Sequence, residues 1–363
     1  MLYSVFHFEG TKVKNLDLPR VTFGIIVLNG EPFLRYCLEA LYSFAHEIIV
    51  VEGACPAARS VATADGHSTD GTLETLHRFK AEEDPEDKVQ IITREGLWSE
   101  KDEQSRAYAQ RATGEYLWQV DVDEFYRPED MQAVLEMLRD DSEITAVSFK
   151  QITFWGGFDY IVDGWYLRQG AEIYHRLFKW GKGYQYVTHR PPTVCDSSGR
   201  DLREVKWLNG YDLLRRGINL YHYSLLFPKQ VEEKAGYYAA GSWGAYSDGI
   251  MRWAHENYLT TIHRPFQAHN VHTYPSWIRR FSGQHPEEIL RMRKDIETGH
   301  LNITCRDNGD IERLLSLPTY KAGRWLLEHC FFLYLCRRFR KGRLLRTVVP
   351  VIYDSNLNRL SLG

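Results

Sequence analysis

The sequence predicts an α/β fold, a Rossmann-like and mostly parallel sheet with flanking helices, followed by a helical C-terminal extension. Three observations predict it. Over roughly the first 150 residues, short β-rich runs alternate with helical patterns, which is how successive strand–helix–strand units are written in a chain. The runs Val21–Leu28 (VTFGIIVL) and Glu47–Val51 (EIIVV) are almost continuously apolar, the texture of strands buried on both faces. Finally, Asn29, Glu52 and Asp121 stand where three of these strands end. In open sheets the crevice beyond the carboxyl ends of the strands is where ligands bind.

The elements follow in order. After the first strand comes the turn Asn29-Gly30-Glu31, and Pro32 occupies the place of a first helical residue, with Leu34, Cys37, Leu38 and Leu41 at helical spacing. Glu47–Val51 is the second strand. Thr69 precedes a helix reaching about Phe79, and Val89–Thr93 is the third strand. Ser99-x-x-Asp102 reads as a capping box opening a helix to about Ala112. The fourth strand, Tyr116–Val120, runs straight into Asp121-Val122-Asp123-Glu124-Phe125, and Pro128 starts another helix. From about Ser148 to Tyr186 the texture changes to strands and loops crowded with aromatic residues, and after about Ser276 it becomes helical and basic.

Composition narrows the function classes. With 363 residues, 44% of them hydrophobic and 26% charged, the chain can bury an enzyme-sized core and lacks the signature of disorder. A net charge of −3 provides no global field for nucleic acid. That balance hides eight basic residues against one acid, Glu328, between Lys321 and Arg346. The apolar run inside this stretch, Cys330–Cys336, is far shorter than the roughly 20 residues a spanning helix needs. The first residues, MLYSVFHFEGTKVK, show no basic flank before a long apolar stretch, so a secretory signal is not expected and a cytoplasmic setting is. Six scattered cysteines without a CxxC pair fit reduced thiols better than a disulfide framework or a zinc site.

The sharpest local feature is Asp121-Val122-Asp123-Glu124. With 21 Asp in the chain about one Asp-x-Asp arises by chance, so the pattern needs its context. Here it follows a buried strand directly. Three carboxylates within four residues repel one another unless a metal cation, an Arg or a Lys sits among them. A hard ion such as Mg²⁺ or Mn²⁺ is held by one or two carboxylates, with phosphate oxygens and waters completing its shell. The plainer reading is a solvated acidic turn ahead of the Pro128 helix, favourable to its dipole. Other motifs drop out: no GxGxxG follows the first strand, and Ala240-Gly-Ser-Trp-Gly244 lacks both the first glycine and the preceding strand of a hydrolase elbow.

Taken together, these segments resemble the family 2 glycosyltransferases of GT-A fold. VTFGIIVLNGEPFLRYCLEALYSFAHEIIVVEGA is similar to the family's opening, and Asp65-Gly-His-Ser-Thr-Asp-Gly-Thr72 to its DGSTDGT segment, set off by an insertion, Ala54–Ala64. EGLWSEKDEQSRAYAQRATGEYLWQVDVDEF is similar to its third motif, a helix followed by a strand ending in DxD or DxDE. The resemblance covers about residues 20–150. It implies a GT-A domain over 1–275, with the nucleotide-binding half at about 20–150 and the acceptor half at about 151–275, and a basic helical region over 276–363.

The resemblance also implies roles. Leu28 and Asn29 would line the nucleotide pocket, Glu52 would receive the base or ribose, and Lys101 would lie near the diphosphate or sugar. Asp121 would face the ribose or a metal-bound water, and Asp123 would bind Mn²⁺ or Mg²⁺ directly. Leu220-Tyr-His222-Tyr-Ser, with Lys234 and Tyr237-Tyr238 downstream, resembles a stretch of bacterial lipopolysaccharide-core transferases, which makes His222 the expected third metal ligand; His189, His269 and His272 are its rivals. An inverting enzyme needs a carboxylate to take the acceptor's proton. Asp159 is the first candidate and Glu172 the second. The implied reaction moves a sugar from a nucleotide-diphosphate donor, a UDP-sugar first, to a glycan or lipid-linked acceptor, with contact to an anionic membrane surface through 321–346. A carbohydrate-binding relative without turnover is the alternative.

Overall fold

The computed structural model describes residues 18–170, 174–241 and 249–340. The residues at the N-terminus read for a secretory signal, candidate Glu172, and the end of the basic stretch lie outside them.

The first half builds the sheet the apolar runs call for. β1 (Val21–Val27) leads through α1 (Leu34–Tyr42) to β2 (Glu47–Glu52), then through α2 (Thr72–Glu82) to β3 (Val89–Ile92) and through α3 (Lys101–Ala109) to β4 (Tyr116–Val120). These four strands are parallel, in the order β4-β1-β2-β3. Every residue of β2 and β4 is buried, as expected for strands covered on both faces. Each such Val, Ile or Leu side chain stabilises the fold by about 1.5–3 kcal/mol on leaving water. Gly24 in β1 is required by packing: a Cβ there would stand 2.5 Å from the Tyr108 ring, which α3 presses against the strand.

Downstream of β4 the chain forms β5 (Glu124–Phe125), α4 (Pro128–Asp140), β6 (Ala146–Ser148), β7 (Gln151–Trp155), β8 (Tyr160–Gly164), α5 (Trp165–Arg168) and β9 (His175–Lys179). β10 (Gln185–His189) and β11 (Pro192–Cys195) make a two-stranded ribbon against α3, and β12 (Trp207–Leu208), α6 (Gly210–Arg215), β13 (Leu220–Leu225) and α7 (Pro228–Ala240) follow. α8 (Ile250–Trp253), β14 (Ser276–Arg280), α9 (Glu287–Glu297), α10 (Gly309–Ser316) and α11 (Pro318–Arg340) complete the described chain.

β9 joins the first sheet antiparallel between β4 and β6, with β12 at the edge, giving the order β12-β6-β9-β4-β1-β2-β3. A second sheet has the order β14-β8-β7-β13-β5. The aromatic stretch is largely its core: Phe154 stacks on Tyr223 at 4.2 Å, and Trp118, Tyr126 and Phe149 pack together under the first sheet.

Three sequence expectations shift. The helix expected after Thr69 starts at Thr72, because the Asp70 carboxylate accepts the Thr72 N–H and hydroxyl (3.1 and 2.6 Å) and holds the chain in a turn. Asp102 does not close a capping box on Ser99; Glu103 accepts the Ser99 N–H (2.7 Å) instead. The segment from Ser276 opens with β14, paired to β8, so the boundary expected at 275 falls inside the second sheet. Among the described residues no disulfide occurs and no helix is long and apolar enough to cross a membrane.

Candidate active site

β1, β2 and β4 end side by side, and the strand order reverses about β1, so a crevice opens beyond Val27, Glu52 and Val120. Its floor is tied together by the 65–72 segment. Asn29, in the left-handed region at φ 53°, donates its backbone N–H to Ser68 Oγ (3.0 Å) and its side-chain amide to the Val61 carbonyl (2.8 Å), and accepts the Thr69 N–H (2.8 Å). Leu28 beside it is half-buried. Glu52 is fully buried at 0% exposure. Its Oε1 accepts the N–H and hydroxyl of Ser68 (2.7 and 2.8 Å), and its Oε2 meets His67 Nδ1 at 2.7 Å. The pairing with Glu52 raises the His67 pKa.

At the end of β4 the acids turn inward rather than into solvent. Asp123 and Glu124 are buried, and cations stand among the three carboxylates, as the repulsion argument requires. Arg176 on β9 grips Glu124 through Nε (2.8 Å) and Nη2, and its Nη2 lies 3.7 Å from Asp121. Burial would raise the Asp121 pKa, but Arg176 and then His189 bring it down to about 2.

Asp123 is served from another part of the chain. β13 pairs antiparallel with β5, setting His222 opposite Glu124, and the Tyr223 N–H donates to the Asp123 carbonyl (2.8 Å). His222 Nε2 then lies 3.5 Å from Asp123 Oδ1, while His222 Nδ1 is buried without a partner among the described residues. From α7, Gln230 donates to Asp123 Oδ2 (3.0 Å) and Lys234, one turn later on the same face, stands 2.5 Å from that oxygen. Against the cost of burial, Lys234 and then His222 hold the Asp123 carboxyl well below the usual range.

The next turn of α7 faces more cations. Lys101 lies over the Tyr237 ring at 4.7 Å, and Arg190 reaches the Tyr238 hydroxyl at 3.1 Å. Burial, then the charge of Arg190, depresses the Lys101 pKa to about 8. Although burial opposes it, Arg190, Lys101 and Lys234 draw the Tyr238 pKa below its ordinary value. A phenol so surrounded marks a positive locus facing Asp121.

Two ligands at about 2.1 Å on adjacent corners of one octahedral ion lie about 3 Å apart. Asp123 Oδ1 and His222 Nε2 stand 3.5 Å apart, and a carboxylate with an imidazole is a donor pair that would suit a divalent ion such as Mn²⁺. Among the described residues no group of three or more ligating side chains is gathered closely enough to hold an ion.

The remaining candidates lie elsewhere. Asp159 sits in the β7–β8 turn, 60% exposed, and pairs with Arg293 of α9 at 2.9 Å. His189 is buried, its N–H donated to Asp102 (2.7 Å) and its ring against Ser105, and burial lowers its pKa well below normal. Burial brings His269 to about 3, its Nδ1 accepting the Val271 N–H. His272 is half-buried, with its Nδ1 at 3.2 Å from the Asn270 carbonyl. Sequence reasoning assigned no role to Arg176, Arg190, Gln230 or Lys234. The Gln230-x-x-x-Lys234-x-x-Tyr237-Tyr238 spacing, one face of a helix, was the available signal for the last two.

Comparison with known proteins gives a family match over residues 22–191, to the model described as glycosyl transferase family 2. No curated protein sequence matches. Among solved structures, S. aureus TarS 1-349 aligns at 15% identity over 36% of this chain and 36% of that one, with a TM-score of 0.29. The Pyrobaculum calidifontis mannosyltransferase PcManGT, in complex with GDP-Man and Mn²⁺, aligns at 21% identity over 45% of each chain, TM-score 0.31. Glucosyl-3-phosphoglycerate synthase from Mycobacterium tuberculosis, with Mn²⁺, UDP and phosphoglyceric acid, aligns at 14% identity over 38% of this chain and 43% of that one, TM-score 0.27. The chain thus spans less than half the length of each.

Proposed function

We propose, on the family 2 glycosyl transferase match over residues 22–191, that this chain is a glycosyltransferase that transfers a sugar from a nucleoside-diphosphate donor to a glycan or lipid-linked acceptor, with inversion at the anomeric carbon and with Mn²⁺ or Mg²⁺. The observation that carries the reading is the convergence of Asp121 and Asp123 with Lys101, Arg190 and Lys234 at the carboxyl ends of β1, β2 and β4. Cleaving the bond from an anomeric carbon to a diphosphate develops negative charge on the leaving phosphate, and three convergent cations stabilise it where it forms. Asp123 and His222 would hold the divalent ion, which when bound adds Lewis-acid stabilisation of the same charge. The proton of the acceptor hydroxyl goes to one of the two carboxylates named from sequence, Asp159, now paired with Arg293, or Glu172, three residues before β9.

Membrane contact is supported by the outer face of α11. Tyr320 and Trp165 dock the helix on the second sheet, while Trp325 and Leu326 are 59% and 55% exposed within the basic stretch.

The test is a panel of nucleotide sugars with Mn²⁺ or Mg²⁺, comparing wild type with Asp123→Ala. Release of the nucleotide is expected to fall at least a hundredfold in the variant. Equal release by both proteins rejects the metal role of Asp123, and no release from any donor rejects the activity. Asp159→Asn and Glu172→Gln, measured separately, identify the base as the one that lowers kcat.

A further inference from the structure

We propose that His67, oriented by Glu52, reads the nucleobase of the donor and selects a base with a carbonyl oxygen at the pyrimidine 4 or purine 6 position, uracil or guanine, over one with an amino group there, cytosine or adenine; the proposal rests on the nucleotide-sugar reading above. It starts from the distance across the sheet. β2 lies two strands from β4, so their ends are about 10 Å apart at roughly 4.8 Å per strand. A nucleotide with its phosphates at Asp121 and Lys101 therefore lays its far end over the tip of β2, where Glu52 and His67 stand.

Glu52 itself turns no oxygen towards the crevice: it is wholly buried, with Oε1 taken by Ser68 and Oε2 by His67. The imidazole is partly exposed, at 17%, and fixed at both ends. Its backbone N–H donates to Thr63 Oγ1 (2.8 Å), its carbonyl accepts the Thr63 N–H (2.8 Å), and its Nδ1 is held by Glu52, so Nε2 is the atom left, with no bond to any described residue. In the resembled DGSTDGT pattern His67 is the extra residue, inserted between Gly66 and Ser68.

Charge decides what Nε2 offers. Among the described residues His67 is the only ion-pair partner of the Glu52 carboxylate, and a carboxylate at zero exposure is costly without a counter-charge. The hydrogen bond to Glu52, and then the charges of Glu52, Asp65 and Glu95, raise the His67 pKa against the opposing effect of burial. As the counter-charge of the buried Glu52 carboxylate the ring carries hydrogen on both nitrogens, and Nε2 is a donor that wants a carbonyl oxygen. Opposite an exocyclic amino group it meets another donor, and a mismatched polar pair in a partly buried site loses roughly tenfold or more in affinity.

The experiment is calorimetric titration of UDP, GDP, CDP and ADP into the full chain with Mg²⁺ at neutral pH, for wild type, His67→Ala and Glu52→Gln. Wild type is expected to favour UDP or GDP over CDP and ADP by tenfold or more. His67→Ala is expected to bind all four within about threefold of one another. In Glu52→Gln the uncharged ring presents Nε2 as an acceptor, and the preference is expected to move towards CDP and ADP. A wild-type preference for CDP or ADP, or a preference unchanged in both variants, overturns the role of His67 and leaves the nucleotide-sugar reading standing. Binding of none of the four by wild type overturns both.

Discussion

Lys234 Nζ stands 2.5 Å from Asp123 Oδ2, across 111 residues of chain. The acid expected to hold a cation is thus already paired with one, and under the proposed function the lysine would meet the donor's diphosphate. Two ligands, a metal ion for the carboxylate and a phosphate for the ammonium, would each find half of this pair.

That exchange predicts opposite effects from one substitution. Lys234→Met is expected to strengthen Mn²⁺ binding by the nucleotide-free protein, since Asp123 loses its competitor, and to weaken nucleoside-diphosphate binding by about tenfold. Titrating each ligand separately checks it; a variant that weakens both would make Lys234 a purely structural partner of Asp123.

Arg176 carries a different load. It is the buried counter-ion of Glu124 and the neighbour of Asp121, so Arg176→Met strands carboxylates in the core. We expect a loss of about 3–5 kcal/mol in urea unfolding. The double variant Arg176→Met with Glu124→Gln should recover much of it.

Lys101 gives the crevice a pH dependence. Its ammonium, held down to about 8 by burial and by Arg190, is present below that pH and lost above it. Nucleoside-diphosphate affinity is therefore expected to fall about tenfold between roughly pH 7 and pH 9, and Lys101→Arg should flatten that profile, since a guanidinium stays charged. Folding stability moves the other way. Between about 8 and the unfolded value of 10.5 the unfolded chain binds more protons than the folded one, so this residue's contribution to stability improves as pH rises through that window.

On the outer face of α11, Trp325→Ser with Leu326→Ser removes two exposed apolar side chains while sparing Tyr320, which anchors α11 to Ile278. Sedimentation with anionic vesicles should drop severalfold in the double variant, with thermal stability unchanged. Equal sedimentation would sink the contact proposed for this helix.

The strands were legible in the chain because a strand buried on both faces must be written as an apolar run, and β1, β2 and β4 carry that requirement residue by residue. Asp121 and Asp123 were legible as acids at a sheet end for a related reason: acids placed directly after such a run stand at the end of its strand. What folds around them was not. Arg176 comes from β9, Arg190 from the end of β10, Gln230 and Lys234 from α7; they reach the acids because β9 pairs antiparallel with β4, the β10–β11 ribbon packs on α3, and β13 pairs with β5 ahead of α7. Likewise Glu52 shows in sequence as a strand-end acid, but its burial and its grip on His67 depend on how the 65–72 segment folds back over β2. Local pattern encodes which face of an element is buried; which charges then meet is set by pairing between distant segments, where the free energy of bringing them together comes from packing the whole core and not from the residues that meet.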